Sequence, residues 1–130
     1  DARTLGSTQS FFSANGQTEE SASAVRRVVQ ERMVGEFYLT SIDKDGTGQG
    51  LDLHLLEFFQ SLNSSRIPTI LAGGAGKPEH LITALTHPGV GAVATANLLN
   101  FVGDGLKKAR DRVSDSGIDL ATWDILERPV

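Results

Sequence analysis

The sequence predicts an α/β fold, half of a (βα)8 TIM barrel in which parallel strands are each followed by a helix. Strand-like apolar runs alternate with helical segments at short loop lengths, which is the pattern of right-handed crossovers in a parallel sheet. A barrel and an open doubly wound sheet both fit that alternation. Glycine-rich turns follow the strand ends, where barrels assemble their active sites, and this favours the barrel. The strand-helix units are too few for the eight that close such a barrel.

The composition suits one domain over residues 1–130, because 39% of the chain is hydrophobic. A net charge of -4 argues against nucleic acid or an anionic membrane as a partner. The chain has no cysteine, which fits a reducing compartment, and no apolar run of the ~18 residues that a membrane span needs. We therefore expect a cytoplasmic protein. The chain begins at Asp1 rather than Met, so we expect a parent barrel truncated before residue 1.

The first two complete units carry clear local signals. Residues 36–42 are rich in aromatic and β-branched side chains, which predicts a strand. Asp52 precedes apolar residues at helical spacing over 53–62 and is the expected N-cap of that helix. Residues 67–72 repeat the strand signal. Pro78, followed by an acidic residue, is expected to open the next helix.

The third unit is predicted from residues 90–95, an apolar strand-like run. A short apolar segment at 98–101 follows it, and the polar pattern at 106–113 predicts a surface helix.

The start of the chain is predicted as half a unit whose strand is missing. Residues 21–33 are expected to form a helix with Val25, Val28 and Val29 facing inward. Residues 6–16 are expected to form an irregular loop or a small hairpin.

Three motifs at the predicted strand ends resemble one family. They are Thr40-Ser41-Ile42-Asp43-Lys44-Asp45-Gly46-Thr47, Gly73-Gly74-Ala75-Gly76-Lys77 and Ala94-Thr95-Ala96-Asn97. Over residues 35–117 the chain resembles the C-terminal half of the cyclase subunit of imidazole glycerol phosphate synthase, a family that includes cyclase-like relatives in surface-sugar biosynthesis. The resemblance implies a barrel lyase of histidine biosynthesis that closes the imidazole ring with ammonia from a glutaminase partner, without a cofactor.

The resemblance also implies roles for individual residues. Thr40 would contact the substrate, Asp1 would be one of two catalytic aspartates, and Glu36 would belong to a charged ring that gates ammonia. The residues implied around a substrate phosphate are Asp45, Gly46, Gly74, Ala75, Ala96 and Asn97.

The chemistry of a phosphate site agrees with these motifs, because a phosphate needs several N–H donors in a small volume. Glycines let the backbone approach the anion, and a short helix over 96–101 would point its N-terminus at it. A Gly74→Val change is therefore expected to remove phosphate-ester binding and leave the far-UV dichroism nearly intact. The alternative for Gly73 and Gly74 is a tight turn that needs positive φ. Asp1 has the alternative of a frayed terminus without a role.

Other features favour different functions. Ala72 and Asn97 stand where the synthase usually has serine, and the tail around residues 103–105 and Trp123 looks more like the surface-sugar relatives. A further alternative is a non-catalytic, self-associating half barrel. Such a half barrel would have two exposed sheet edges and bare inward faces at residues 38–40 and 70–72, so we expect a homodimer. The isolated chain is expected to be inactive, because its second catalytic aspartate and second phosphate site would lie in the missing half.

Two metal or nucleotide motifs are imitated but incomplete. Residues 43–54 begin like a calcium loop, yet the twelfth position is His54 rather than glutamate. Residues 73–77 resemble a nucleotide phosphate loop without its first glycine and its metal-binding hydroxyl residue. His54, His80 and His87 have no ligand spacing, so we expect no metal.

Overall fold

The computed structural model describes residues 1–5, 8–13, 17–96 and 104–121. An antiparallel meander comes first, formed by strands β1 (Ala2–Leu5), β2 (Thr8–Ser13) and β3 (Thr18–Glu20). Helix α1 (Ala22–Gln30) follows it. The rest alternates as β4 (Phe37–Thr40), α2 (Leu53–Leu62), β5 (Thr69–Ala72), α3 (Pro78–Leu85), β6 (Val90–Val93) and α4 (Gly105–Asp115).

Strands β4, β5 and β6 form a parallel sheet in that order, and each is followed along the chain by a helix. Leu39 pairs with Leu71, and Leu71 pairs with Val93. The predicted α/β class with parallel strands and covering helices is therefore confirmed. The observed strands are shorter than the predicted ones, because ladder pairing begins at Phe37 and Thr69 in β4 and β5 and ends at Thr40 and Val93 in β4 and β6.

The two faces of the parallel sheet differ in burial. Leu39 and Leu71 face the helices and are 4% and 0% exposed. Tyr38 lies on the opposite, concave face and is 59% exposed. The bare inward face predicted at residues 38–40 and 70–72 is thus found at Tyr38. Because side chains alternate along a strand, Leu39 and Leu71 within those ranges are buried under the helices instead.

Most of the core lies between the sheet and the helices. Leu55, Leu56 and Phe59 of α2 pack with the helix-facing residues of β4 and β5. A second cluster joins α3 and α4, where Leu81 contacts the buried Ala109 and Val113. The predicted surface helix is confirmed as α4, with a narrow apolar stripe.

Strand β1 belongs to the antiparallel meander and meets the parallel sheet at one residue, so the prediction that the first unit lacks its parallel strand stays a prediction. Ala2 forms a parallel bridge with Ser41, and the Ile42 N–H donates to Ala2 O at 2.8 Å. The small hairpin predicted within residues 6–16 belongs to the meander. Phe11 anchors it to α2, since its ring stacks on Phe58 at a centroid distance of 5.8 Å.

Helix ends follow local chemistry. Asp52 accepts the Leu55 N–H at 3.0 Å as the predicted N-cap, and Pro78 opens α3 as predicted. Helix α1 stops at Gln30 rather than at residue 33, because Arg32 adopts a φ of 49° and the Met33 N–H returns to Val28 O. Val29 is the buried valine of α1.

The short apolar segment predicted at 98–101 lies outside the described residues, as do Asn97, Gly103 and Trp123. Among the described residues, no helix has the length and apolar character needed to cross a membrane.

Candidate functional site

A cavity of about 270 Å³ opens at the carboxyl ends of the three parallel strands. Its wall is built from the strand ends and from the loops after β4, β5 and β6. The lining residues are Tyr38, Thr40, Asp45, Ala72, Gly73, Gly74, Ala75, Ala94, Thr95 and Ala96. Five residues of the predicted site, Thr40, Asp45, Gly74, Ala75 and Ala96, are therefore brought together in one place. The loops after the three strands lie on one face, as the barrel prediction requires.

The loop after β5 presents free donors to this cavity. Gly73, Gly74 and Ala75 are buried, and their N–H groups donate to no described residue. Buried backbone N–H groups without a partner are rare in proteins, and where they line a cavity they are usually satisfied by a ligand or water. Three consecutive donors of this kind form an arrangement suited to an anion.

Close backbone packing fixes the loop after β5 against the loop after β4. The Gly50 N–H donates to Gly74 O at 2.8 Å, and a Cβ on Gly74 would overlap Gly50 O. Gly73 and Gly74 have φ values of 88° and 101°. The tight turn that was the alternative interpretation is therefore present and coexists with the row of free donors. A valine at Gly74 would displace the backbone of the neighbouring loop, and its effect on far-UV dichroism stays a prediction.

Ser41 and Asp52 tie the end of β4 to the start of α2. Ser41 is fully buried, and its Oγ donates to Asp52 Oδ2 at 3.0 Å while Asp52 Oδ1 caps the helix. The same serine also accepts the Asp45 N–H through its backbone oxygen at 3.0 Å. The loop that carries Asp45 is thus held at both ends.

Asp45 and Gly46 differ in how they relate to the cavity. Because the Asp45 N–H is used within the loop, Asp45 can act on a ligand only through its exposed carboxylate or its carbonyl oxygen. Gly46 does not line the cavity, and its φ of 76° gives it a conformational role in the turn. The phosphate role predicted for Gly46 therefore has no support from the cavity geometry.

Sequence reasoning missed several residues of the wall. The wall residues that were not assigned to the site, although they lie at or near strand ends, are Tyr38, Gly73, Ala94 and Thr95. Thr95 Oγ1 donates to Ala75 O at 3.4 Å and so contacts the loop after β5, whose residues Gly73, Gly74 and Ala75 form the donor loop. Strand alternation pointed to Tyr38, which shares the concave face with Thr40.

Asp1 and Glu36 lie apart from the cavity. Asp1 precedes β1, is exposed, and its backbone exchanges hydrogen bonds with Phe12 at 2.8 and 3.0 Å. Asp1 lines a separate cavity of about 190 Å³ that shares Tyr38 with the first one. Glu36 is exposed and precedes β4, at the opposite end of that strand from the cavity.

The three histidines have different surroundings. The His54 side chain is 95% exposed, and His87 lies 4.0 Å from Glu57. His80 Nδ1 accepts the Gly76 N–H at 3.2 Å. Within the described ranges, no three side chains of His, Cys, Asp or Glu are grouped to hold a metal ion.

Three curated relatives carry the same kind of name. The chain is 50% identical over 92 residues to a protein of Parasynechococcus marenigrum named provisionally as imidazole glycerol phosphate synthase subunit hisF2, covering 70% of this chain and 34% of that protein. It is 32% identical over 124 residues to imidazole glycerol phosphate synthase subunit HisF of Metallosphaera sedula, and the match covers 94% of this chain and 49% of that protein. It is 35% identical over 124 residues to subunit HisF of Hyphomonas neptunium, and that match covers 94% of this chain and 48% of the relative.

The chain thus spans from a third to about half the length of the curated relatives it matches. The sequence profile of the family described as histidine biosynthesis protein matches residues 1–103. That range contains β1 to β6 and the whole described part of the cavity. The chain therefore belongs to the histidine biosynthesis protein family, among the cyclase subunits of imidazole glycerol phosphate synthase.

Proposed function

We propose that the chain is the phosphate-binding half of a barrel cyclase, a lyase that closes the imidazole ring of imidazole glycerol phosphate in histidine biosynthesis. The observation that carries this proposal is the row of N–H groups at Gly73, Gly74 and Ala75 on the cavity wall, which donate to none of the described residues. An anionic group of the substrate would accept these donors. The names of the relatives supply the reaction.

The remaining groups of the cavity suit the rest of a sugar-like substrate. Thr40 offers a hydroxyl, and Asp45 offers a carboxylate that would repel a phosphate but accept a substrate O–H or N–H. We therefore assign the phosphate to the Gly73–Ala75 side of the cavity and the polyol to the Asp45 side. Ala96 borders the cavity, and the predicted donor Asn97 follows it along the chain.

The reaction needs more than this chain. Catalysis would require Asp1 and a second aspartate held in register across a closed barrel, so the isolated chain is expected to be inactive. A glutaminase would supply ammonia at the face that carries Glu36, and the synthase would act in the cytoplasm. The correspondence of the chain to the C-terminal half of the barrel stays a prediction.

A second candidate is a cyclase-like protein of surface-sugar biosynthesis. The supporting observation is Ala72, which lines the cavity where a serine is usual and removes one hydroxyl from its wall. Restoration of histidine-independent growth by the full-length parent in a strain lacking its cyclase would support the histidine pathway. Absence of growth with a stably expressed parent would favour the sugar pathway.

The anion site is tested with sulfate, which keeps its charge across neutral pH. We expect Asp45→Asn to tighten sulfate binding by roughly threefold to tenfold, because it removes a negative charge from the cavity wall. Asp43→Asn is the matched control, since Asp43 lies 3.4 Å from Arg3 and does not line the cavity. Equal effects of the two changes in calorimetric titrations would place the anion elsewhere.

A further inference from the structure

Helix α3 holds the donor loop through one side chain. His80, in the first turn of α3, reaches back so that its Nδ1 accepts the Gly76 N–H at 3.2 Å. Gly76 directly follows Gly73, Gly74 and Ala75, whose N–H groups are free. The fourth N–H of the loop is therefore used for anchoring, while the three before it remain available to the cavity.

The same imidazole lies beside the neighbouring loop. His80, Gly50 and Leu51 line one small cavity, and a Cβ added to Gly50 would lie 3.7 Å from His80 Cδ2. Gly50 itself donates to Gly74 O and so ties that loop to the donor row. The direct link between His80 and the donor row is the hydrogen bond with Gly76.

This hydrogen bond exists in one protonation state only. An imidazole nitrogen accepts a hydrogen bond when it carries no proton, so His80 must be neutral with its proton on Nε2. Protonation of Nδ1 would point the imidazole N–H at the Gly76 N–H, and the hydrogen bond between them would break.

We propose that His80 is a positioning residue that keeps the Gly73–Ala75 donors in their anion-binding arrangement only while its imidazole is neutral. This inference rests on the proposed function, because it assigns an anion to that donor row. It predicts that anion binding depends on pH through His80, a residue that does not itself line the cavity.

The charges around His80 favour the neutral form at neutral pH. Burial and, secondarily, the nearby Lys77 lower the pKa of His80 below its ordinary value, and Glu79 opposes them. From α4, Arg112 approaches Glu79 at 3.9 Å and partly offsets its charge. The loop on the other side presents Gly50 and Leu51, which do not titrate.

The sign of the effect follows from linkage. Because the pKa is lowered in the folded chain, the unfolded chain binds more protons between the two values, so stability is lost as the pH falls from the ordinary value to the lowered one. His80 of the folded chain becomes protonated as the pH falls through its lowered pKa, and there we expect the donor row to lose its arrangement and sulfate affinity to fall.

The test compares sulfate affinity between pH 8 and pH 5 for three chains. The unaltered chain should lose affinity about fivefold toward acid, in step with the His80 titration followed by NMR. His80→Asn keeps an acceptor near the Nδ1 position and should bind with little dependence on pH. His80→Phe lacks the acceptor and should bind weakly throughout, while His54→Asn should match the unaltered chain.

Two outcomes overturn the proposal. One is an affinity of the unaltered chain that stays constant through the His80 titration, and the other is normal binding by His80→Phe. If the unaltered chain binds no sulfate at any pH, the proposed anion site fails instead. In that case the amide shifts of Gly73, Gly74 and Ala75 still decide whether the loop follows the protonation of His80.

Discussion

Asp52 connects the helix that covers the sheet to the strand that carries the site. Its two carboxylate oxygens bind the Leu55 N–H and the Ser41 hydroxyl, both at 3.0 Å. Loss of the carboxylate would leave the fully buried Ser41 hydroxyl without its acceptor and α2 without its cap. Both losses are costly because a buried polar group without a partner keeps its full desolvation penalty.

Asp52→Ala is therefore expected to lower the free energy of unfolding by about 2–3 kcal/mol. Asp104→Ala provides a matched control, because Asp104 precedes α4 at the same position but makes no side-chain cap hydrogen bond. Its cost should stay below about 1 kcal/mol. Chemical denaturation measures both, and equal costs would show that the Asp52 hydrogen bonds add no stability.

Glycines of the two loops provide a second comparison between residues. Gly46 and Gly74 both have positive φ, but a Cβ on Gly46 meets open space while one on Gly74 meets the backbone of the other loop. Gly46→Ala should cost about 1 kcal/mol and leave sulfate binding intact. Gly74→Ala should cost more and weaken binding. Thermal melts and sulfate titration of both variants check this, and similar losses in the two would contradict the packing argument.

At the residue scale, the sequence predicted the site where the signal is local. Glycines after strand ends located the donor loop, and the cavity contains Gly74 and Ala75 as expected. No sequence signal indicates that the Asp45 N–H is used inside its own loop, or that Gly76 donates to His80. Such pairings depend on how the chain returns on itself, which no spacing of residue types encodes.

At the element scale, one aromatic side chain anchors the antiparallel meander before α1 to α2. Phe11 is 6% exposed and lies against Phe58 and Phe59 of α2 at centroid distances of 5.8 and 6.1 Å. Strands this short are marginal without packing against other elements. The sequence predicted only a loop or small hairpin here, because serine, threonine and glycine dominate the segment and its anchor is distant in the chain.

Phe11→Ala is expected to cost about 3–4 kcal/mol, because it empties a filled site between β2 and α2. Phe12, the next residue on β2, is half-buried and does not belong to the core cluster, so Phe12→Ala should cost clearly less. Hydrogen exchange of residues 9–13 is the second readout. Protection of that strand should disappear in the Phe11 variant and persist in the Phe12 variant. Retained protection in both would mean that the meander is stable without α2.

At the scale of the whole molecule, the parallel sheet ends without closing. In the described part of the chain, β4, β5 and β6 are the strands that pair in parallel, with Ala2 beside β4, whereas a barrel of this family needs eight strands. The outer edge of β6 pairs with no described strand, and Tyr38 is 59% exposed on the concave face. Open edges of this kind favour pairing with another chain.

We expect the isolated chain to form a homodimer that joins two half barrels. A two-fold axis would pair edges and cover both concave faces, burying about 800 Å² per partner if the interface is of ordinary size. Tyr38→Glu should shift the sedimentation profile toward monomer, because it places a charge in the covered face. Met33→Glu is the control, since Met33 is 64% exposed at the other end of β4 and should leave association unchanged. A dilute monomer that unfolds cooperatively in analytical ultracentrifugation and melting experiments would show that the chain protects its own edges and needs no second half.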